Sequence, residues 1–351
     1  MTDCVKFPSI DQFRNAVKNI KNQASFDGIG EDGKAKFKTV VYPALVFFGT
    51  VKAHGTNAAI RQDVLDGEII YQSRERVITP VDDNAGFAAH FYQFEKEVFR
   101  NKFFWDVRNL FDVADDVPVV IYGEWAGGNI QSGVAINGLP KMFLVFAVRI
   151  GTETNTKWIR PDDERMGFFN IDMFQMHNIA KFGMYRVIVD LNNPEYAQNE
   201  IVKMVEAVEA ECPIGKYFGN SGVGEGIVFM AHNKEYQNNS VFKAKGEKHS
   251  ASKVKTTAAV DIERVESLKA LVDTIVTENR LNQMVGVMKD KEGLDVDLKN
   301  TGVFIKTVMD DCMKEELDTI LGNGFNTKEF AGQAGTKIRQ FWLNLYNTSV
   351  L

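Results

Sequence analysis

The sequence pattern changes near residue 251, and this change limits what the chain can fold into. Before it, short apolar runs that suit buried strands alternate with a few amphipathic segments. After it, apolar residues recur at helical spacing over 260–289, 301–321 and 327–346. We therefore expect an α+β protein with a first domain over 1–248, a polar linker over 249–258 and an all-helical domain over 259–351.

The composition excludes several classes of protein. With 44% hydrophobic residues, 26 Phe and only 8 Pro, the chain can bury a core and is neither disordered nor collagen-like. Its 3 cysteines are too scattered for a disulfide framework or a zinc site, which predicts a reducing compartment. The net charge of −6 argues against unspecific coating of nucleic acid. Because the sequence shows no signal peptide and no apolar run that could span a bilayer, we expect a cytoplasmic protein without a membrane partner.

Local patterns predict the secondary structure before residue 250. A turn at Asp66-Gly67 between two apolar runs predicts a hairpin. Asp82 or Asp83 is a candidate N-cap for a helix. The predicted strands are 40–51, 57–63, 68–74, 117–125, 142–150, 226–231 and 240–245, and the predicted helices are 83–104 and 194–211.

The first segment with a chemical signature is Lys52-Ala53-His54-Gly55-Thr56-Asn57, directly after a buried strand. A lysine at the end of an apolar strand is partly desolvated, and desolvation favours the neutral, nucleophilic amine. A glycine three residues later lets the backbone approach a ligand closely. The hexapeptide alone suits an ordinary strand end followed by a glycine turn equally well.

Four more segments carry charged groups that call for a partner. Arg74 ends the predicted hairpin, Glu124 lies inside an apolar strand, and glycines on both sides of Glu225 leave room for a metal ion or a nucleotide. Lys243 and Lys245 point to one face of a strand and together suit an anion. Each segment alone also fits a structural role, as a solvated strand end or edge, an ion pair or a glycine turn.

The order of these segments resembles the covalent nucleotidyltransferases, which comprise polynucleotide ligases and mRNA capping enzymes. Their signature is Lys-x-x-Gly, then a Glu motif, a Glu-Gly motif and Lys-x-Lys, and the resemblance extends over roughly residues 35–250. The His-Gly-Thr-Asn ending of the first motif and the helical C-terminal region are similar to ATP-dependent RNA ligases of the RNA ligase 2 type. That type includes the mitochondrial RNA-editing ligases.

The resemblance implies a nucleotidyltransferase (adenylyltransferase) domain of antiparallel sheets with flanking helices, followed by a small helical domain. It implies that Lys52 is the catalytic residue that ATP adenylylates with the help of Mg²⁺ or Mn²⁺, that Glu225 contacts the metal, and that Phe146 stacks on the base. The further residues that it places on ATP or AMP are Val51, His54, Gly55, Asn57, Arg74, Glu124, Lys216, Lys243 and Lys245.

Two positions depart from the pattern of that family. Ala147 follows Phe146, where members often carry an acidic residue, so one metal or ribose contact is left unassigned. Val51 precedes Lys52, where a glutamate is common, so no glutamate side chain is placed there to read the exocyclic amine of adenine.

The activity implied is that of an ATP-dependent RNA ligase, which joins 3′-hydroxyl and 5′-phosphate ends through lysyl-AMP and an adenylylated RNA end, in RNA repair. We expect a monomer that binds ATP and RNA, as a nicked duplex or as RNA ends, in a bacterial or phage-infected cytoplasm. The alternatives are a DNA ligase, a capping-type nucleotidyltransferase and a catalytically inactive RNA-binding protein.

Overall fold

The computed structural model describes residues 4–30, 35–37, 42–94, 98–99, 102–192, 194–232, 240–249 and 264–349. They divide into two compact units, Met1–Gly246 and Glu247–Leu351. Apart from residue 249, the predicted linker over 249–258 lies outside the described residues. No described helix has the length and apolar character needed to cross a membrane.

The described part of the first unit contains both strands and helices. The strands are β1 (Asp11–Gln12), β2 (Phe26–Ile29), β3 (Ala35–Phe37), β4 (Ala44–Lys52), β5 (Thr56–Gln62), β6 (Ile69–Ser73), β7 (Val77–Ile78), β8 (Val119–Ala126), β9 (Met142–Gly151), β10 (Thr156–Ile159), β11 (Met176–Asn178), β12 (Met184–Asp190), β13 (Gly226–Ala231) and β14 (Val241–Lys245). The helices are α1 (Phe13–Ser25), α2 (Phe87–Tyr92), α3 (Phe104–Phe111), α4 (Glu195–Ala210) and α5 (Pro213–Tyr217).

Sheet 1 has five strands in the order β1-β14-β13-β4-β12. Its strand β4 runs antiparallel to β13, which places Lys52 opposite Gly226 and Thr50 opposite Val228. Strand β1 pairs in parallel with β14 and covers what would otherwise be an edge. The back of the sheet packs against apolar faces of α1 and α4. Lys52 lies on the front, because side chains alternate along β4 and the neighbouring Val51 is buried at the back.

Sheet 2 has the strand order β10-β9-β8-β5-β6-β7, with β11 paired to β9. One face buries a phenylalanine-rich core against α2 and α3. The other face carries a smaller cluster centred on Tyr122 and Ala147. Between β8 and β9 the register shifts so that Tyr122 pairs with Ala147 and Gly123 pairs with Val145. Phe146 is therefore the extra residue of a β-bulge, a feature that re-aims a side chain.

The second unit is helical in its described part. Its helices are α6 (Arg264–Ile275), α7 (Glu278–Glu292), α8 (Thr301–Gly322) and α9 (Thr327–Ser349). They enclose an apolar core in which Trp342 stacks on Phe304 with ring centroids 4.3 Å apart. Buried Arg280 lies 3.2 Å from Asp311 and 3.4 Å from Glu315.

The α+β class, the antiparallel sheets and the helical C-terminal region are confirmed. Two predicted helices were wrong in extent. The stretch 260–289 contains a break before α7, where the Thr277 hydroxyl accepts the backbone N–H of Arg280 and caps the new helix. In the described part of 83–104, α-helix is confined to the short α2 and the first residue of α3. The predicted hairpin is confirmed, with β5 and β6 antiparallel and Asp66 at a positive φ of 60°.

Candidate active site

Four side chains from three separate segments converge at the end of β4. Lys52 Nζ lies 2.7 Å from Glu225 Oε2, and His54 Nδ1 lies 3.4 Å from the same oxygen. Lys245 Nζ lies 3.1 Å from the other oxygen, Oε1. Glu225 is only 2% exposed, whereas the Lys52 side chain is 20% exposed and can be reached from outside. The cluster thus holds a partly accessible amine against a buried carboxylate.

The charges in this cluster shift the protonation of its members. Burial alone would raise the pKa of Glu225, but the ammonium groups of Lys52 and Lys245, together with His54, outweigh burial and hold it well below its usual range. Glu225 is therefore ionised at neutral pH. Burial lowers the pKa of Lys245; the Glu225 carboxylate opposes this, and the positive charges of Lys52 and Lys243 add to it.

The chain leaves Lys52 through a tight connection to β5 that other side chains hold in place. The backbone N–H of Gly55 donates to Glu124 Oε1 over 3.0 Å, and Gln131 Nε2 donates to the Gly55 carbonyl over 3.3 Å. Asn84 Nδ2 donates to the Thr56 hydroxyl over 2.9 Å. A β-carbon on Gly55 would overlap the backbone of β8, so only glycine fits this approach.

Glu124 lies on the side of this connection that faces the cluster. Burial raises its pKa to about 6; the Glu225 charge acts in the same direction, and Lys52 and the Gly55 N–H oppose it. Asn57 is paired with Glu124 across β5 and β8, so both predicted ligand residues occupy neighbouring positions. Two acidic groups with pKa values displaced in opposite directions therefore stand beside one lysine.

Gly226 follows Glu225 and allows β13 to approach β14 closely. It has a positive φ of 147°, and a β-carbon there would overlap the backbone of β14 next to Lys245. The Glu-Gly pair is thus a geometric requirement, because the glycine lets the carboxylate lie between two lysines from neighbouring strands.

Phe146, at the β-bulge, faces the same side of sheet 2 as Tyr122 and Glu124. Its ring meets Phe7 edge-on at a centroid distance of 5.0 Å. Phe7 also contacts the rings of Tyr122 and Trp158, each at 5.4 Å. The N-terminal segment that carries Phe7 is anchored by two hydrogen bonds between the backbone of Val5 and the side-chain amide of Gln72.

The side chains of three other predicted site residues have different surroundings. The Val51 side chain is buried behind sheet 1, on the opposite face from the Lys52 amine. Arg74 is 57% exposed and lies 3.8 Å from Glu75. Lys216 is 66% exposed and pairs with Glu211 at 2.6 Å. Lys243, by contrast, lies on the same face of β14 as Lys245.

Sequence reasoning missed a bridge between the two sheets. Arg160, directly after β10, donates to both carboxylate oxygens of Asp162 over 2.9 and 3.1 Å. Its remaining terminal nitrogen donates to the backbone carbonyl of Ala231 at the end of β13. Arg160 also lines a small pocket with Thr50 and Val228, two residues from Lys52 and Gly226 respectively. No spacing in the sequence points to this contact, because it joins loops that are distant along the chain.

The donor set fits a magnesium-like ion only in combination with a substrate. Among the described residues, no group of three or more His, Cys, Asp or Glu side chains is placed to hold a metal. Mg²⁺, however, is commonly held by one or two carboxylates together with substrate phosphates and water. The buried, ionised carboxylate of Glu225 meets that requirement, and Glu124 lies nearby.

The chain is similar to one known protein family and to several solved structures. A family model described as RNA ligase matches residues 46–245. No curated protein matches the chain. Among solved structures, mutants of a Naegleria gruberi RNA ligase match at 15% identity: one with ATP and Mn has a TM-score of 0.41 and one with AMP and Mn has 0.40. The match covers 70% of this chain and 59% and 56% of those chains, so this chain spans less than two thirds of their length.

Proposed function

The chain belongs to the RNA ligase family, and from this premise we propose that it joins RNA ends through a covalent AMP adduct on Lys52. The observation that carries the proposal is the partly exposed amine of Lys52, which contacts the buried carboxylate of Glu225. His54 and Lys245 contact the same carboxylate. A structural ion pair needs one cation for one carboxylate. Here the ammonium groups of two lysines meet one buried glutamate, and positive charge beyond that of a single pair suits a phosphate.

In the first step, the neutral Lys52 amine attacks the α-phosphorus of ATP. A bond forms between Nζ and phosphorus, the bond to the β-phosphate oxygen breaks, and pyrophosphate leaves in line. Lys245 and Lys243, on one face of β14, stabilise the negative charge on the phosphate oxygens. Glu225 would hold a divalent cation, which would supply further positive charge to those oxygens.

The Lys52 proton must leave before the attack. In the structure Lys52 Nζ forms an ion pair with Glu225 Oε2 over 2.7 Å. When Lys52 loses this proton to water, its ion pair with Glu225 is lost. The carboxylate, still in contact with His54 and Lys245, would then be able to hold a metal ion. Deprotonation of the nucleophile and binding of a metal ion would thus be coupled through one carboxylate.

In the second step, an oxygen of an RNA 5′-phosphate attacks the phosphorus of lysyl-AMP. The phosphorus–nitrogen bond breaks, Lys52 regains a proton, and the RNA end carries AMP. In the third step, a 3′-hydroxyl attacks the activated 5′-phosphate, a phosphodiester bond forms and AMP leaves. We propose that Glu124 and Asn57 contact the ribose, that Phe146 stacks on adenine, and that breaks with these ends, as in RNA repair, are the substrate.

The first test is retention of label from α-labelled ATP and Mg²⁺ on a denaturing gel. Wild-type protein is expected to be labelled, and Lys52→Arg, which keeps the charge but not the nucleophilicity, is expected to lose the label. Lys102→Ala is the matched control, because Lys102 is 74% exposed and its ion pair is with Asp106 on the same helical segment. An unlabelled wild type, or full labelling of Lys52→Arg, contradicts the proposal.

The second test separates the possible acceptors. Sealing is measured on nicked duplexes that differ only in having RNA or DNA at the 3′-hydroxyl side, and labelled GTP replaces ATP in a parallel reaction. Sealing confined to the RNA end with ATP is expected. Labelling by GTP but not ATP indicates a capping-type enzyme, and indifference to the sugar indicates a DNA ligase.

A further inference from the structure

A cavity of about 380 Å³ lies between the two sheets, beyond the Lys52 cluster. Its apolar lining includes Phe7 and Trp158 on the side of sheet 2, and Met230 and Val241 on sheet 1. Asn19 and Gln23, one helical turn apart on α1, form a polar edge. The function proposed above uses none of these groups except through Phe7, which touches Phe146.

The position of the cavity follows from the strand registers. Val241 and Lys245 lie on one face of β14, four residues apart, which is about 14 Å along a strand. On β13, Met230 pairs with Phe48, and Phe48 lies four residues before Lys52 on the same face of β4. The cavity therefore lies further along the space between the two sheets than the Lys52 cluster does. A nucleoside attached to Lys52 can extend in this direction.

The stacking position lies between these two regions. Phe146 is next to Ala147, and Ala147 itself lines the cavity. A base stacked on Phe146 lies beside the cavity, because Phe7 contacts the Phe146 ring and also lines the cavity. The exocyclic amine of adenine is on the side of the base away from the ribose, and the cavity lies on the side away from the Lys52 cluster. Ala147 contributes only a methyl group to this wall, which is therefore apolar.

Resting on the function proposed above, we infer that this cavity accepts an apolar group attached to the exocyclic amine of adenine. The enzyme then uses N6-substituted adenosine triphosphates as adenylyl donors. The reaction is unchanged: the bond between Lys52 Nζ and the α-phosphorus forms, the bond to the β-phosphate oxygen breaks, and pyrophosphate leaves. Only the occupant of the space behind the base differs.

The experiment is a competition between ATP and N6-benzyl-ATP at equal concentration with Mg²⁺. Intact-protein mass spectrometry of the full chain separates the two Lys52 adducts by mass. Wild type is expected to form both adducts in amounts within about tenfold of each other, a ratio that corresponds to less than about 1.4 kcal/mol.

Two substitutions fill the cavity from opposite walls, Ala147→Leu on β9 and Val241→Phe on β14. Each is expected to keep the ATP adduct and to lower the share of the benzyl adduct at least about tenfold, because added bulk in an occupied space is poorly tolerated. Gln23→Ala, at the polar edge, is the control and is expected to keep the wild-type ratio.

The outcomes separate this inference from the proposed function. If wild type forms neither adduct, the lysyl-AMP proposal fails and this inference fails with it. If wild type forms only the ATP adduct, the inference alone is overturned. Unchanged ratios in both filling variants show that the substituent lies elsewhere, and loss of ATP labelling in both shows that the cavity holds ATP itself; either result refutes the inference.

Discussion

Replacing Glu124 by glutamine is expected to make the stability of the first unit less dependent on pH. The Glu124 carboxyl has a pKa of about 6, against an ordinary value of 4.5. A pKa that is higher in the folded state means that folding favours the protonated acid. Its contribution to stability is therefore present below about pH 4.5 and is lost as the pH rises through about 6.

The size of the effect follows from that difference. About 1.5 pH units at 1.36 kcal/mol each gives about 2 kcal/mol. This is an upper limit, because the residue is only partly buried and solvent screens its charge. Glutamine cannot ionise and resembles the protonated acid in shape. The free energy of unfolding of the variant, minus that of wild type, is thus expected to rise by up to about 2 kcal/mol between pH 4 and pH 7.5.

The assay is urea unfolding followed by tryptophan fluorescence at several pH values. Both proteins carry Trp342→Phe, so that the remaining tryptophans, at 105, 125 and 158, all lie in the first unit. The control is Glu211→Gln, because Lys216 lowers the pKa of Glu211. For this variant, the free energy of unfolding minus that of wild type should fall as the pH rises. The reasoning is refuted if the difference in free energy of unfolding between Glu124→Gln and wild type does not change with pH, or falls as the pH rises.

Three further substitutions test the geometry of the site. Gly226→Ala is expected to lower stability by about 2 kcal/mol or more and to abolish labelling, because the added β-carbon overlaps β14 and the positive φ strains the backbone. Gly219→Ala is also at a positive φ but in open space, so it should lower stability by about 1 kcal/mol and keep labelling. Glu225→Gln should lower stability by about 3 kcal/mol and prevent labelling because two lysines lose their carboxylate, whereas Glu75→Gln should cost less than about 1 kcal/mol. Arg160→Ala should lower stability by about 2 kcal/mol and raise the KM for ATP more than it lowers kcat, and Arg160→Lys should give intermediate values. An unchanged KM would show that the contact of Arg160 with Ala231 does not fix the spacing of the two sheets at the ATP site.

Much of the site was predictable because its residues lie in short motifs on strands. The alternation of side chains along β14 places Lys243 and Lys245 on one face, and the glycines beside Glu225 indicate a close approach. The structure brings Lys52, Glu225 and Lys245 together. The assignment of ATP, ribose and metal contacts to individual residues stays a prediction.

Other features could not be read from local patterns. Arg160 reaches Ala231 only because the two sheets approach each other, and the bulge at Phe146 arises from a shift in register that leaves no mark in the alternation of β9. The break before α7 depends on the hydroxyl of Thr277, a single cap within an otherwise helical stretch. Arg74 ends a strand as expected, yet in the structure it is directed at Glu75, its neighbour in the sequence.

The pairing of β1 with β14 has a consequence for how the protein is made. Asp11 and Gln12 lie beside Phe242 and Lys243, more than two hundred residues later in the chain. During translation β1 leaves the ribosome before β14, and it cannot pair until β14 has been synthesised near the end of this unit. Contacts so distant in sequence slow folding, so sheet 1 should be completed only after residue 245 has left the exit tunnel.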